Sequence, residues 1–149
     1  MAFIGSIVAA QTASAIGEYN AKVNRQQAAY WDAKAASQRE AYNQIDKPRL
    51  IKSQERAKSN FFVNLLSTGA EFSGTNYAMA LEYDFEQATD VAIADYNESL
   101  DFIDNRNQSL LFETKAQGDI YKARLGAVSE YAKAGGSLLS MANKHYEWV

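Results

Sequence analysis

The sequence predicts an all-α chain: two or three long helices forming an elongated helical hairpin or bundle that assembles into an oligomer. Three observations carry that expectation. Residues 77–132 contain no proline, and Gly118 is the first glycine among them. A single proline, Pro48, stands in an alanine-rich chain of 149 residues with no cysteine. Apolar residues recur along the second half at a helical period, too long a run to be the centre of a compact small domain.

The second half shows the pattern most fully. One apolar or small residue per turn gives Tyr77, Leu81, Phe85, Ala88, Ala92, Tyr96, Leu100, Ile103, Asn107, Leu111, Thr114, Gly118, Tyr121, Leu125, Val128 and Ala132. The spacing averages about 3.67 residues per turn, the eleven-residue repeat of a nearly straight or slightly right-handed bundle. A helix over this stretch is roughly 80 Å long at 1.5 Å per residue. We read Leu81, Phe85, Ala92, Tyr96, Leu100, Ile103, Leu111 and Leu125 as a seam between copies of the chain. Glu86, Asp90, Asp101 and Asp104 fall well away from this stripe and form an acidic face.

The chain reads in order as one helical domain over 1–149. A first helix covers 2–45, a second 48–68, a loop 69–76, a long helix 76–134 and a flexible tail 135–149. The first helix opens on the uncharged stretch 2–17, which holds Gly5, Ala9, Ala13 and Gly17 at a spacing of four. Small residues at that spacing make a smooth ridge, suited either to a close helix crossing or to contacts inside a membrane. The stretch is shorter than the roughly 20 apolar residues that span a bilayer, and no basic n-region marks it as a secretory signal. Further on, Ile16, Val23 and Tyr30 repeat at seven, and Val8, Tyr19, Tyr30 and Ala41 at eleven. Trp31 beside Tyr30 adds an aromatic packing anchor.

Pro48 predicts a kink or short turn, because proline is tolerated in a helix's first turn but not in its interior. The helix that follows is basic at its start, with Arg49, Lys52, Arg56 and Lys58. Cations near a helix N-terminus oppose its dipole, so they call for acidic partners, and the carboxylates of 82–104 are the candidates. Gly69 reads as a helix C-cap and Gly74 as a second turn residue, with Thr75 or Asn76 capping the next helix. So short a loop makes the two helices antiparallel neighbours. Gly135-Gly136 should end the long helix near Ala134. His145, Tyr146 and Trp148 close the chain as a docking peptide or a mobile tail.

Charge is uneven. Residues 1–60 hold nine Lys/Arg and five Asp/Glu, whereas residues 61–149 hold six and thirteen. Either the basic part packs near the acidic one, or the acidic surface repels nucleic acid and lets it slide past. The basic residues form no dense patch, which disfavours tight DNA binding. A lone histidine, His145, leaves no histidine-based metal or catalytic set. Glu-x-x-His pairs, a phosphate-binding glycine loop and a nucleophile elbow are all lacking. Glu82 with Glu86 reads as a solvated face. No catalytic residue, metal or cofactor is expected, and the chain reads as an assembly part.

Taken together, four stretches resemble the small internal virion proteins of short-tailed bacteriophages, the ejection proteins. They are the apolar start Ala2-Phe3-Ile4-Gly5-Ser6-Ile7-Val8-Ala9-Ala10, the Ala/Gln/Asn-rich helix around Tyr19–Tyr42, the turn Ser67-Thr68-Gly69-Ala70-Glu71-Phe72-Ser73-Gly74-Thr75 and the ending Ala132-Lys133-Ala134-Gly135-Gly136-Ser137-Leu138-Leu139. The resemblance implies a chain packaged in the capsid near the portal and released through the tail, where an oligomer helps form a channel for genome entry. Its implied partners are further copies of itself, the portal or other internal virion proteins, the host outer membrane and DNA passing without specific binding. Its implied place is the capsid interior, then the host cell envelope. The chain is shorter than the best-known family members, which bears against an independent membrane-spanning role. A helical adaptor or collar of a virion or other large assembly, without membrane activity, is the alternative. On the family reading the ridge Gly5–Gly17 packs or inserts, and the acidic face of Glu86, Asp90, Asp101 and Asp104 lines the DNA path.

Overall fold

The computed structural model describes residues 2–67, 69 and 74–146, with side-chain surroundings for 4–67, 69 and 74–142. Helix α1 runs Ala2–Ala41, a π-helical turn spans Tyr42–Asp46, α2 runs Lys47–Ser67 and α3 runs Gly74–Tyr146. No strand occurs among the described residues. Alanine, glutamine and the long charged side chains lose little on entering a helix, and β-branched residues are sparse.

Three boundaries differ from the sequence expectation. The chain stays helical across Pro48, and α3 continues through Gly135-Gly136 to Tyr146 where a stop near Ala134 and a flexible tail were expected. Each mid-helix glycine costs about 0.5–1 kcal/mol relative to alanine. Packing offsets this, since Ala134 is buried and Ser137 half-buried beside the pair. Gly69 ends α2 with φ of +69° and its N–H on Leu66 O at 3.1 Å. α3 begins at Gly74, so Thr75 and Asn76 lie inside its first turn and do not precede it. The rest of the expected loop, 68 and 70–73, and the terminal Trp148 lie outside the described residues.

The chain divides into two compact units, Met1–Trp31 with Asn107–Val149, and Asp32–Arg106. In the first, α1 lies antiparallel to the end of α3. Ala13 meets Gly126, Gly17 meets Ala123, and Asn24 donates to Asp119 at 2.8 Å. In the second, α2 lies antiparallel to the start of α3. Gln54 and Gln87 each donate to the other's backbone carbonyl, at 3.1 and 2.9 Å. Phe61 stacks on Tyr83 with ring centroids 5.5 Å apart. The helical hairpin is therefore closed within one chain, and α1 packs on its own chain.

Small residues close it. On α1 the inward positions are Ala10, Ser14, Gly17, Ala21, Asn24, Ala28, Trp31 and Ala35, in alternating steps of four and three. That is the heptad seam of a coiled coil, built here from side chains with little bulk. Facing positions on α3 include Asn105, Ser109, Ala116 and Ala134, all buried, and Ala80 is buried at the start of α3, the stretch that packs on α2. Among the described residues no large side chain is fully buried. The stripe read as inward from the sequence is thus not the intrachain seam. Phe85 is 73 % exposed and Tyr96 64 %, whereas Ala10 and Ala116 are fully buried.

The π turn resolves the proline. In a regular helix the Pro48 ring would clash with the carbonyl of Gln44, four residues back. The wider turn moves that carbonyl away, and Lys47 N–H bonds Tyr42 O instead, a reach of five residues. Across this turn the inward seam makes one step of five, Tyr42 to Lys47. It then continues through Leu50, Gln54, Lys58, Phe61 and Leu65, all half-buried. Both ends of the step are held by one carboxylate. Tyr42 Oη donates to Asp95 Oδ1 and Lys47 Nζ to Asp95 Oδ2, each at 2.8 Å.

Candidate functional site

α3 carries two faces about half a turn apart at about 100° per residue. One is the small-residue seam; the other is the stripe of Leu81, Phe85, Ala92, Tyr96, Leu100, Ile103, Leu111 and Leu125, all exposed. Tyr77, Tyr121 and Val128 extend it, also exposed. α1 repeats the arrangement, because Val8, Ile16, Tyr19, Val23 and Tyr30 face outward. Isolated exposed apolar residues are ordinary, but continuous stripes of them mark interaction surfaces. The periods found in the sequence are those of these outer stripes.

Charges sort by flank. Along one side of the α3 seam run the cross-helix ion pairs: Lys58–Asp84 at 2.5 Å, Lys47–Asp95 at 2.8 Å and Arg106–Asp32 at 2.6 Å. Arg39–Glu98 adds a looser pair at 3.7 Å, with the Arg39 guanidinium 4.4 Å from the Phe102 ring centre. Of the basic residues at the start of α2, Lys47 and Lys58 meet the acidic stretch inside the chain, whereas Arg49, Lys52 and Arg56 are exposed and, among the described residues, have no carboxylate within 4.0 Å. Exposed pairs are each worth about 0.2–1 kcal/mol, so they set register more than stability. Along the other flank Glu86, Asp90, Asp101 and Asp104 are exposed, and among the described residues none has a cationic partner within 4.0 Å.

Asp95 is the most tightly held carboxylate. Hydrogen bonds from Lys47, then from Tyr42, lower its pKa below the ordinary value of 3.8. Tyr42 shifts the opposite way, to about 12, by desolvation and then by its bond to the Asp95 anion. Both shifts hold the Asp95 anion and the neutral phenol together across the π turn.

The predicted ridge divides. Gly17 is buried, and a Cβ there would overlap the Ala123 methyl and lie 3.0 Å from Asp119 O. Ala13 is its half-buried neighbour. Gly5 is exposed with open space where a Cβ would lie, and Ala9 is exposed as well. No helix is long and apolar enough to cross a membrane among the described residues.

Among the described residues no three His, Cys, Asp or Glu side chains group to hold a metal, and the side chain of His145 lies outside them. A depression of about 460 Å³ is lined by Gln11, Thr12, Ala15, Ile16 and Tyr19, all from the outer surface of α1. It lacks convergent polar groups from a second element. What sequence reasoning missed is the intrachain seam itself. Its signal was present as Ala21, Ala28 and Ala35 at a spacing of seven, quieter than the larger residues beside it. Comparison with protein-family models, with curated proteins and with solved structures finds no match to this chain.

Proposed function

We propose that this chain is a self-assembling structural subunit of a virion: an internal protein of the DNA-ejection apparatus of a short-tailed bacteriophage. It is stored in the capsid near the portal, and its oligomer helps form the channel for genome delivery. One observation carries the assembly part of this reading, the stripe of large apolar residues left exposed on α3 while alanine closes the hairpin. A chain that spends its small residues internally and keeps Phe85, Tyr96, Leu100 and Ile103 outside is built for contact with other chains. The four stretches named from the sequence carry the virion part. Portal and other internal virion proteins are the companion chains, and the exposed carboxylates give passing DNA a wall that repels it.

The test is self-association of the purified chain by sedimentation velocity. Wild type is expected to form concentration-dependent oligomers. Replacing Phe85, Tyr96 and Ile103 together by Asp should give a monomer of unchanged helicity by circular dichroism. A wild-type chain that stays monomeric at every concentration refutes the reading.

The adaptor or collar reading, without membrane activity, is favoured by a separate observation. Gly17 and Ala13 are used inside the chain, and no described helix has the length and apolarity to span a bilayer. Vesicle leakage separates the two. A channel-forming oligomer releases entrapped dye from anionic vesicles and loses that ability when residues 2–17 are deleted; an adaptor releases none.

A further inference from the structure

The outer surface of α2 and one flank of α3 complement each other without meeting inside the chain. With Lys47, Leu50, Gln54, Lys58, Phe61 and Leu65 turned inward, Arg49, Lys52 and Arg56 lie together on the outer side of α2. All three are exposed, and among the described residues none has a carboxylate within 4.0 Å. On α3, Glu86 and Asp90 are likewise exposed and without a cationic partner. They rim a shallow groove of about 180 Å³ lined also by Ser53, Ala57, Tyr83 and Gln87. Small side chains on one side and two carboxylates on the other leave room for a long cationic side chain.

Height along the hairpin fixes the level of the contact. Gln54 and Gln87 are bonded to each other, so they mark one level. Arg49, Lys52 and Arg56 bracket Gln54, and Glu86 and Asp90 bracket Gln87. We infer that the basic outer face of α2 in one copy docks on the Glu86–Asp90 groove of a second, parallel copy at the same level. The Arg and Lys stems cover the apolar stripe beside Phe85 while their heads reach the carboxylates. An unshifted parallel neighbour keeps the stripe alongside from Leu81 to Ile103, whereas an antiparallel one covers it only near the crossing. The inference rests on the self-association proposed above and names its surface. It assigns Glu86 and Asp90 to the neighbour and leaves Asp101 and Asp104 free to face DNA.

Charge reversal tests it. One full-length variant carries Arg49→Glu, Lys52→Glu and Arg56→Glu; the other carries Glu86→Lys and Asp90→Lys. Each alone should associate at least about tenfold more weakly than wild type, because like charges then face each other. Mixed one to one, the two should recover wild-type association, which also shows that both fold. A spin label at Leu66→Cys, in a chain with no other cysteine, reads the orientation. Parallel copies place the labels within about 30 Å, whereas a two-fold crossing at Gln54 separates them by about 36 Å along the axis alone. Wild-type association in both single variants, failure of the mixture to recover it, or the longer label distance overturns this interface while leaving self-association standing. A monomeric wild type overturns both.

Discussion

Gly17 offers the sharpest test of the small-residue seam. A methyl group at this position would overlap the Ala123 methyl and press on the Asp119 carbonyl at 3.0 Å. Because α1 and α3 are both continuous helices there, relief requires the two backbones to separate. Overpacking of this kind costs about 1–3 kcal/mol, while alanine in place of a mid-helix glycine gains about 0.5–1 kcal/mol. Gly17→Ala should therefore lose up to about 2.5 kcal/mol net, measured by urea unfolding followed by circular dichroism. Gly5→Ala, with open space around it, should show the propensity gain alone. The partner is identified by a double-mutant cycle. Ala123→Gly removes the opposing methyl, so in its presence Gly17→Ala should cost markedly less, a coupling of about 0.5–3 kcal/mol. If Gly17→Ala gains as much stability as Gly5→Ala, or if the cycle shows no coupling, the packing of α1 on α3 is refuted.

Other expectations follow from named contacts. Asn24→Ala removes the side-chain amide that binds Asp119 and should cost about 0.5–1.5 kcal/mol; Asn24→Asp should cost more, by facing two carboxylates, and the difference should shrink in acid. The Asp95 clamp has two pH edges, read as melting temperature against pH for wild type minus Asp95→Asn or Tyr42→Phe. The folded pKa of Asp95 is lowered, so its contribution is full above the unfolded value of 3.8 and is lost as pH falls from there through the folded value. The pKa of Tyr42 is raised from 10.0 to about 12, so its contribution is full below pH 10.0 and is lost as pH rises through about 12. A wild-type advantage over Tyr42→Phe that persists unchanged past pH 12 would contradict the phenol-to-carboxylate bond.

The sequence made some features plain and hid others for physical reasons. Helical class, the apolar stripes and the Gly69 cap were legible, because large apolar side chains at a fixed period and a glycine at a helix end are strong local signals. The position of the stripes was not. Burial depends on which surface a second helix covers, and alanine, serine and glycine bury so little area apiece that their heptad is faint beside Phe85 or Tyr96. Close approach of backbones is a property of a pair of helices, and only the facing residues Gly17 and Ala123 together reveal it. Pro48 announced a disturbance correctly, but a proline signals only that four-residue bonding must fail there. It does not say whether the chain turns or widens. The hydrogen bonds of Tyr42 and Lys47 to a carboxylate some fifty positions away decided that. Glu86, Asp90, Asp101 and Asp104 share one flank of α3 by helical phase alone. Their lack of internal partners became visible only once Lys47 and Lys58 were seen on the opposite flank.

The π turn has a consequence for how the chain tolerates changes in length. Its step from Tyr42 to Lys47 is one residue longer than the step of four that a regular helix would take, so the turn stores one surplus residue. Deleting Asn43 alone would convert the turn to regular helix and leave every later residue of α2 on its present face, but it would also drive the Pro48 ring into a carbonyl. Replacing Pro48 alone would remove the need for a wider turn yet leave the surplus residue stored in it. Proline and insertion thus compensate each other, and a shortened chain keeps both its seam and its basic outer face only when the two changes are made together.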